Sequence, residues 1–195
     1  MAFVETEETP VIASLVAAGR MVAERGRLLI DGIEDRAAVR TRSALVDTPG
    51  VAEPFPVLTL RQIISEELIF ADQHASPDAV STVLEALGAQ PFEHTQIQHV
   101  PTHLRIRLLS ELALLRDGVD ILVVTTPERH GGPIDAWFNE IWTIAQRGIA
   151  VMLITSYPIS GHPLRSSPAA DQSTPISKEV SGSLTSTGHL HDPQE

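Results

Sequence analysis

Between Arg107 and Ser156 the chain reads RLLSELALLRDGVDILVVTTPERHGGPIDAWFNEIWTIAQRGIAVMLITS. Two short runs within it, DILVV and AVMLI, are rich in β-formers and apolar at nearly every position, where a half-exposed strand would alternate. A helix-length segment separates them. Strands apolar on both faces and joined through a helix belong to a parallel sheet with helices over it. The expected fold class is therefore α/β, a parallel-rich sheet flanked by helices.

The rest of the chain supplies further elements. Ala2 to Val4 predicts a short strand, and an acidic turn with Glu5, Glu7 and Glu8 follows. Pro10 then suits the first turn of a helix, where its missing N–H does no harm. GRLLIDG reads as a strand closing on a Gly turn, and SALVD as another strand. Thr59 caps the helix LRQIISEELIFA, with an apolar stripe at Leu60, Ile63, Ile64 and Leu68. Ser76-Pro77 opens a further helix that Gly88 stops. A small helical subdomain is thus expected over about 59–98. From Pro158 the sequence turns to Ser, Pro, Thr, Gly and His with few large apolar residues. Such a segment buries too little surface to offset its ordering entropy, which predicts one folded domain over 1–157 and a disordered tail over 158–195.

Composition excludes several chemistries. The 195 residues hold no cysteine, which removes disulfides, zinc–thiolate sites and a thiol nucleophile. A formal charge of −11 argues against a general nucleic-acid surface. The single lysine, Lys178, lies in the tail, so no folded lysine is at hand to hold a phosphate. No apolar run approaches the ~20 residues of a membrane span, and the N-terminus lacks a signal-peptide pattern. The expected location is cytoplasmic, or peripheral on the inner face of the plasma membrane.

Taken in order, the segments from about Ala2 to Tyr157 resemble the ATP-binding domain of ABC transporters. AFVETEETPVIASLVAAGRM stands where that family has a strand, a phosphate loop and a helix. GRLLIDG resembles its post-helix strand and Asp-Gly turn. SALVDTPGVAEPFPVLTLRQII looks like the Q-loop strand and the start of the helical subdomain. VPTHLRIRLLSELALL is similar to the signature segment and its helix. VDILVVTTPERHGG falls at the Walker B position, and AVMLITSY at the strand ending in the H-loop. The pattern is most like degenerate cassette-like subunits of high-GC actinobacteria, encoded with membrane permeases. It begins at the phosphate-loop strand, so the family's N-terminal antiparallel strands have no counterpart in this sequence.

Measured against that resemblance, the reactive groups are missing. A phosphate loop needs successive backbone N–H groups and a Lys at a helix N-terminus. Here ETEETPVI has no glycine and no lysine, and Pro10 and Val11 occupy the motif. At ~5 Å each like-charge contact between these glutamates and a triphosphate costs on the order of 1 kcal/mol or more. The family's Walker B acids, which hold Mg²⁺ and polarise the attacking water, fall on Thr125 and Thr126. The Q-loop glutamine falls near Asp47 or Thr48, the signature serine near Thr102, and the H-loop histidine on Ser156. No catalytic, nucleotide-binding or metal-binding residue is therefore expected, and no cofactor.

Three other clusters of polar and aromatic residues carry candidate chemistry. Glu128, Arg129 and His130, with Asp135 close behind, offer a carboxylate and an imidazole after a strand, where α/β sites sit. No nucleophile accompanies them, so a solvated loop or a protein interface is the preferred reading. His94, His99 and His103 are interrupted by Pro101, which speaks against a metal site. Trp137, Phe138 and Trp142 suit core packing, with a partly exposed docking surface, His130 included, as the alternative. Arg105 and Arg107 read as a solvated helix face.

The expected function is that of a non-hydrolysing ABC-ATPase-like accessory protein, pairing with an intact ABC ATPase or a membrane permease, with a dimer as one form. One alternative is an active ATP-binding subunit using ATP and Mg²⁺ with partner-supplied residues. Another is a small regulatory or DNA-binding protein in which residues 77–113 would be helix-turn-helix-like. The acidic charge counts against the second.

Overall fold

The computed structural model describes residues 2–5, as backbone, and 9–156. The tail expected over 158–195 and the glutamates of the acidic turn at Glu7 and Glu8 lie outside the described residues. All described residues belong to one unit, Met1–His162.

Four strands, β1 (Ala2–Glu5), β2 (Ser43–Val46), β3 (Ile121–Thr125) and β4 (Ala150–Thr155), form a wholly parallel sheet in the order β1-β4-β3-β2. The two apolar runs are its two central strands. Their alternation divides the sheet into faces, as the two-residue period of a strand demands. Val123 and Ile154 turn to one side and pack with Ala13, Ala17 and Ala18 of and just after α1 (Pro10–Ala17). Leu122, Val124, Val151 and Leu153 turn to the other, under α5 (Thr102–Ala113) and α6 (Ile134–Gln146).

Between β1 and β3 lie α2 (Arg36–Arg42), α3 (Leu60–Phe70) and α4 (Pro77–Ala86). α3 starts on a full capping box: the Thr59 side chain accepts from the Gln62 N–H, and the Gln62 side chain accepts from the Thr59 N–H. The Ser76 hydroxyl accepts from the Ala79 N–H to start α4. Leu60, Ile64, Leu68, Val80 and Leu84 tie these helices to the core through α5.

Two expectations need correction. GRLLIDG is not a strand. Its Asp-Gly turn forms, with Ile30 and Ile33 exchanging hydrogen bonds of 2.8 and 2.9 Å around Asp31 and Gly32, both left-handed. Beyond that single bridge no neighbouring strand continues the ladder, so the flanking residues stay irregular. Asp35 instead caps the unanticipated helix α2 through the Ala38 N–H.

The aromatic cluster follows the core-packing reading rather than the docking-surface alternative. Trp137 and Phe138 are 1% and 7% exposed, and Trp142 is half-buried against the same core. Adjacent helical residues diverge by about 100°, but α6 is covered by both α5 and the sheet, so both directions lead inward. The two rings meet edge to face, with centroids 6.3 Å apart.

The second correction is Arg105, which is buried rather than solvated. Its spacing explains why. It stands one turn before Leu108 and Leu109 and two before Leu112, all buried, so it lies on the inward face of α5. Arg107 lies off that face and stays half-exposed beside Glu140.

Candidate functional site

β2 and β3 run side by side and each is followed at once by a residue of left-handed backbone, Asp47 (φ 55°) and Thr126 (φ 41°). Asp tolerates this conformation; for the β-branched Thr it is an outlier that its surroundings must hold in place. These ends form the C-terminal edge of the parallel sheet, where α/β proteins place their sites.

The Asp47 carboxylate is out of water and surrounded by cationic groups. Arg105 donates from Nη2 to Oδ1 at 2.6 Å and from Nε to Oδ2 at 3.0 Å. Arg129 brings Nη2 to 3.0 Å from Oδ1, and its Nη1 donates to the Asp47 carbonyl at 2.7 Å. His130 Nε2 stands 2.7 Å from Oδ2. Burial alone would raise the pKa of this carboxyl. The hydrogen bonds from His130 and Arg105 and the charges of Arg105 and Arg129 outweigh it, holding the pKa at about 2. Asp47 is therefore ionised at neutral pH, and His130 Nε2 carries the hydrogen that it donates.

Beside the ion cluster runs a chain of hydroxyls. The Ser14 Oγ donates to the Pro10 carbonyl at 2.8 Å. Its one proton is thereby spent, so Thr125, 2.7 Å away, must donate to Ser14. Thr48, 2.8 Å from Thr125, must then donate to Thr125. The order Thr48 to Thr125 to Ser14 to Pro10 fixes every proton in it, and links β2, β3 and α1. At the end of β4, Ser156 donates from N and Oγ to Glu128 Oε1, both at 2.9 Å. Thr102, at the start of α5, donates to the carbonyls of Gly131 and His130 at 2.8 and 3.2 Å.

The positions singled out in the sequence thus separate. Asp47, Thr48, Thr125, Thr126 and His130 come together at one sheet end, Thr102 bonds directly to the His130 carbonyl, Pro10 is reached through Ser14, and Ser156 is tied to Glu128 of the same loop. Val11 is half-exposed in the first turn of α1. His99, His103 and His130 line a second cavity of about 410 Å³. Among the described residues no three His, Asp or Glu are placed to hold a metal ion. Arg105, which holds both Asp47 carboxylate oxygens, is the residue missed in the sequence, although its position on the covered face of α5 is the signal that locates it.

A groove of about 550 Å³ opens on the other side of Asp47. Its walls are the segment after β2, α3 and α5, and its rim carries Val51, Phe55 and Phe70. Phe55 and Phe70 are 76% and 70% exposed. The α5 helix, by contrast, buries nine of its twelve residues and presents no free face to a DNA groove.

This architecture is an α/β fold similar to that of ABC transporter ATP-binding cassettes. Three solved structures define the likeness. A dimeric bacterial ABC transporter cassette matches over 80% of this chain and 74% of its own, with a TM-score of 0.54 and 14% identity. cbiO1 from Clostridium perfringens, part of the cbiONQ ABC transporter complex, matches over 80% and 66%, with a TM-score of 0.53 and 13% identity. An ATP-binding subunit of an ABC transporter matches over 79% and 66%, with a TM-score of 0.50 and 15% identity. The chain spans 66% of the length of the last two of these proteins. At these identities the likeness is one of fold. No protein-family model matches the chain, and no curated protein matches it in sequence. No helix among the described residues is long and apolar enough to cross a membrane.

Proposed function

We propose that this chain is an ABC-ATPase-like accessory protein that acts by binding an ABC transporter ATPase or permease and does not itself hydrolyse ATP. The observation that carries this reading is the state of the strand ends. A Mg²⁺-bound triphosphate needs carboxylate oxygen for the ion and donors for the phosphates. β3 ends on two threonines, and the Thr125 proton is committed to Ser14. The one carboxylate at the end of β2 has both oxygens held by Arg105, Arg129 and His130. Glu128 is engaged by Ser156. The residues described do not fit a Mg²⁺–nucleotide, and no step of hydrolysis is derived from them.

What remains is a surface. The groove beside Asp47 has two phenylalanines on its rim, and exposed aromatic side chains beside a concavity are a common basis of partner recognition. The occupant in this reading is an apolar segment of the transporter partner.

Melting in millimolar Mg-ATP tests the first half. A ligand at ~100 Kd stabilises by about 2.7 kcal/mol, which in a chain of this size raises Tm by roughly 5–11 °C. The expected result is an unchanged Tm and no phosphate release above a blank. A clear rise, or turnover, overturns the reading in favour of an active subunit.

A further inference from the structure

Arg129 touches everything that leaves the ends of β2 and β3. Its backbone N–H donates to the Thr126 carbonyl at 3.2 Å. Its guanidinium holds the Asp47 carbonyl and Oδ1, reaches to 3.5 Å from the Thr126 Oγ1, and pairs with Glu53 Oε1 at 3.3 Å. Asp47 and Thr126 are the left-handed residues that follow β2 and β3, so one side chain secures both strained strand exits. Through Glu53 it also secures the segment 48–58, which forms the near wall of the groove with Val51, Ala52 and Phe55.

Thr48 and Leu58 anchor the two ends of that segment in the core, but between them it has few other tethers. A turn forms at its start, with the Val51 and Ala52 N–H groups donating to the Thr48 carbonyl at 3.1 and 2.9 Å. Glu53 Oε2 accepts from the Gly50 N–H at 3.3 Å. At the far end the Gln98 and Ile97 N–H groups donate to the carbonyls of Pro56 and Leu58. In between, Phe55 and Val57 face water.

We infer that Arg129 is a latch: its pairing with Glu53 fixes the segment 48–58 against the sheet ends, and loss of that pairing opens the groove. The use of an opened groove rests on the partner-binding reading above. The latch itself is a property of the isolated chain, and its test needs no partner and no nucleotide. The two can therefore fail separately.

Glu53 and Arg129 are both partly exposed, so salt screens their attraction while leaving the buried Asp47–Arg105 pair little affected. The experiment is amide hydrogen exchange on the full chain, wild type against Glu53→Gln. At low salt the variant's amides at 50–58 should exchange severalfold faster than wild type, with β2, β3 and α5 unchanged. Raising salt from about 0.01 M to about 1 M shortens the Debye length from about 30 to about 3 Å. That change should accelerate exchange at 50–58 in wild type and leave Glu53→Gln unaffected. Equal exchange at low salt in the two proteins overturns the proposal. So does a salt response that persists in the variant, or a rise spread over the whole sheet.

Discussion

Arg105 and Asp47, 58 positions apart in the chain, meet in a two-point ion pair of 2.6 and 3.0 Å with both side chains sealed from water. The pair fastens the middle of the structure, because Asp47 directly follows a strand and Arg105 sits inside the helix that covers it. Breaking a buried pair from one side leaves an uncompensated charge. Arg105→Met should therefore destabilise by about 3–5 kcal/mol, read as a shift in urea midpoint. Combining it with Asp47→Asn should cost less than the sum of the two changes. Strict additivity would mean that the two side chains do not depend on each other.

Asp47 also gives the protein a defined acid limit. Its pKa is depressed to about 2 in the folded chain, against about 3.9 when unfolded. For a depressed carboxyl the stabilisation is complete above the unfolded value and vanishes as pH falls through the folded one. The stability difference between wild type and Asp47→Asn should therefore be flat from pH 7 to about 4 and shrink towards about 2. Urea titrations across this range measure it. A difference that already declines between pH 7 and pH 5 would contradict the assignment to Asp47.

The hydroxyl chain offers a second buried test. Thr125→Val removes its middle link and strands the Thr48 proton and a Ser14 lone pair away from water. The expected loss is about 1–3 kcal/mol. Thr125→Ser keeps the link and forfeits about one methyl group, ~0.8 kcal/mol. If valine proves no worse than serine, the chain contributes nothing to stability.

The two tryptophans report on α6. Trp142→Phe leaves only Trp137, which should emit at shorter wavelength and resist acrylamide quenching. Trp137→Phe leaves the half-buried Trp142, which should be quenched more readily. Equal quenching in the two variants would contradict the burial of Trp137.

At the start of α3, Thr59→Ala removes a capping box and should cost about 1 kcal/mol. Thr59→Ser should restore most of it, because the hydroxyl that accepts from Gln62 is kept.

What could be read from the sequence follows from the range of each cause. β3 and β4 announced themselves because an apolar run is a local signal of burial on both faces. α3 and α4 did so because Thr59 and Ser76 act within three residues of themselves. The order of segments carried the fold class. GRLLIDG had the composition of a strand, but a strand exists only with a neighbour, and its pairing ends after Ile30 and Ile33. The candidate site was half legible. Asp47, Thr48, Thr125 and Thr126 were singled out because the resemblance to ABC cassettes puts the Q-loop and Walker B positions there. Arg105 was misjudged, although Leu108, Leu109 and Leu112 already put it on the covered face. Its partner is nowhere near it in the chain, and Arg129 gave no hint that it would reach Asp47 and Glu53 together.

The sheet register sets a schedule for assembly. Ser43 lies opposite Ile121, but Ala2 lies opposite Met152, across roughly twice as much chain. Closing the longer loop costs only about 0.6 kcal/mol more, so the penalty falls on timing rather than on the final balance. While the chain is being made, β1 waits for about 150 residues before its one partner emerges. During that wait β3 has β2 on one side and a bare apolar edge on the other. The last of these four strands to be synthesised, β4, closes both openings at once, inserting between its neighbours instead of adding to a rim. Truncation just before Ala150 should therefore leave an aggregating chain, while removal of residues 2–5 should leave a weakened but soluble one.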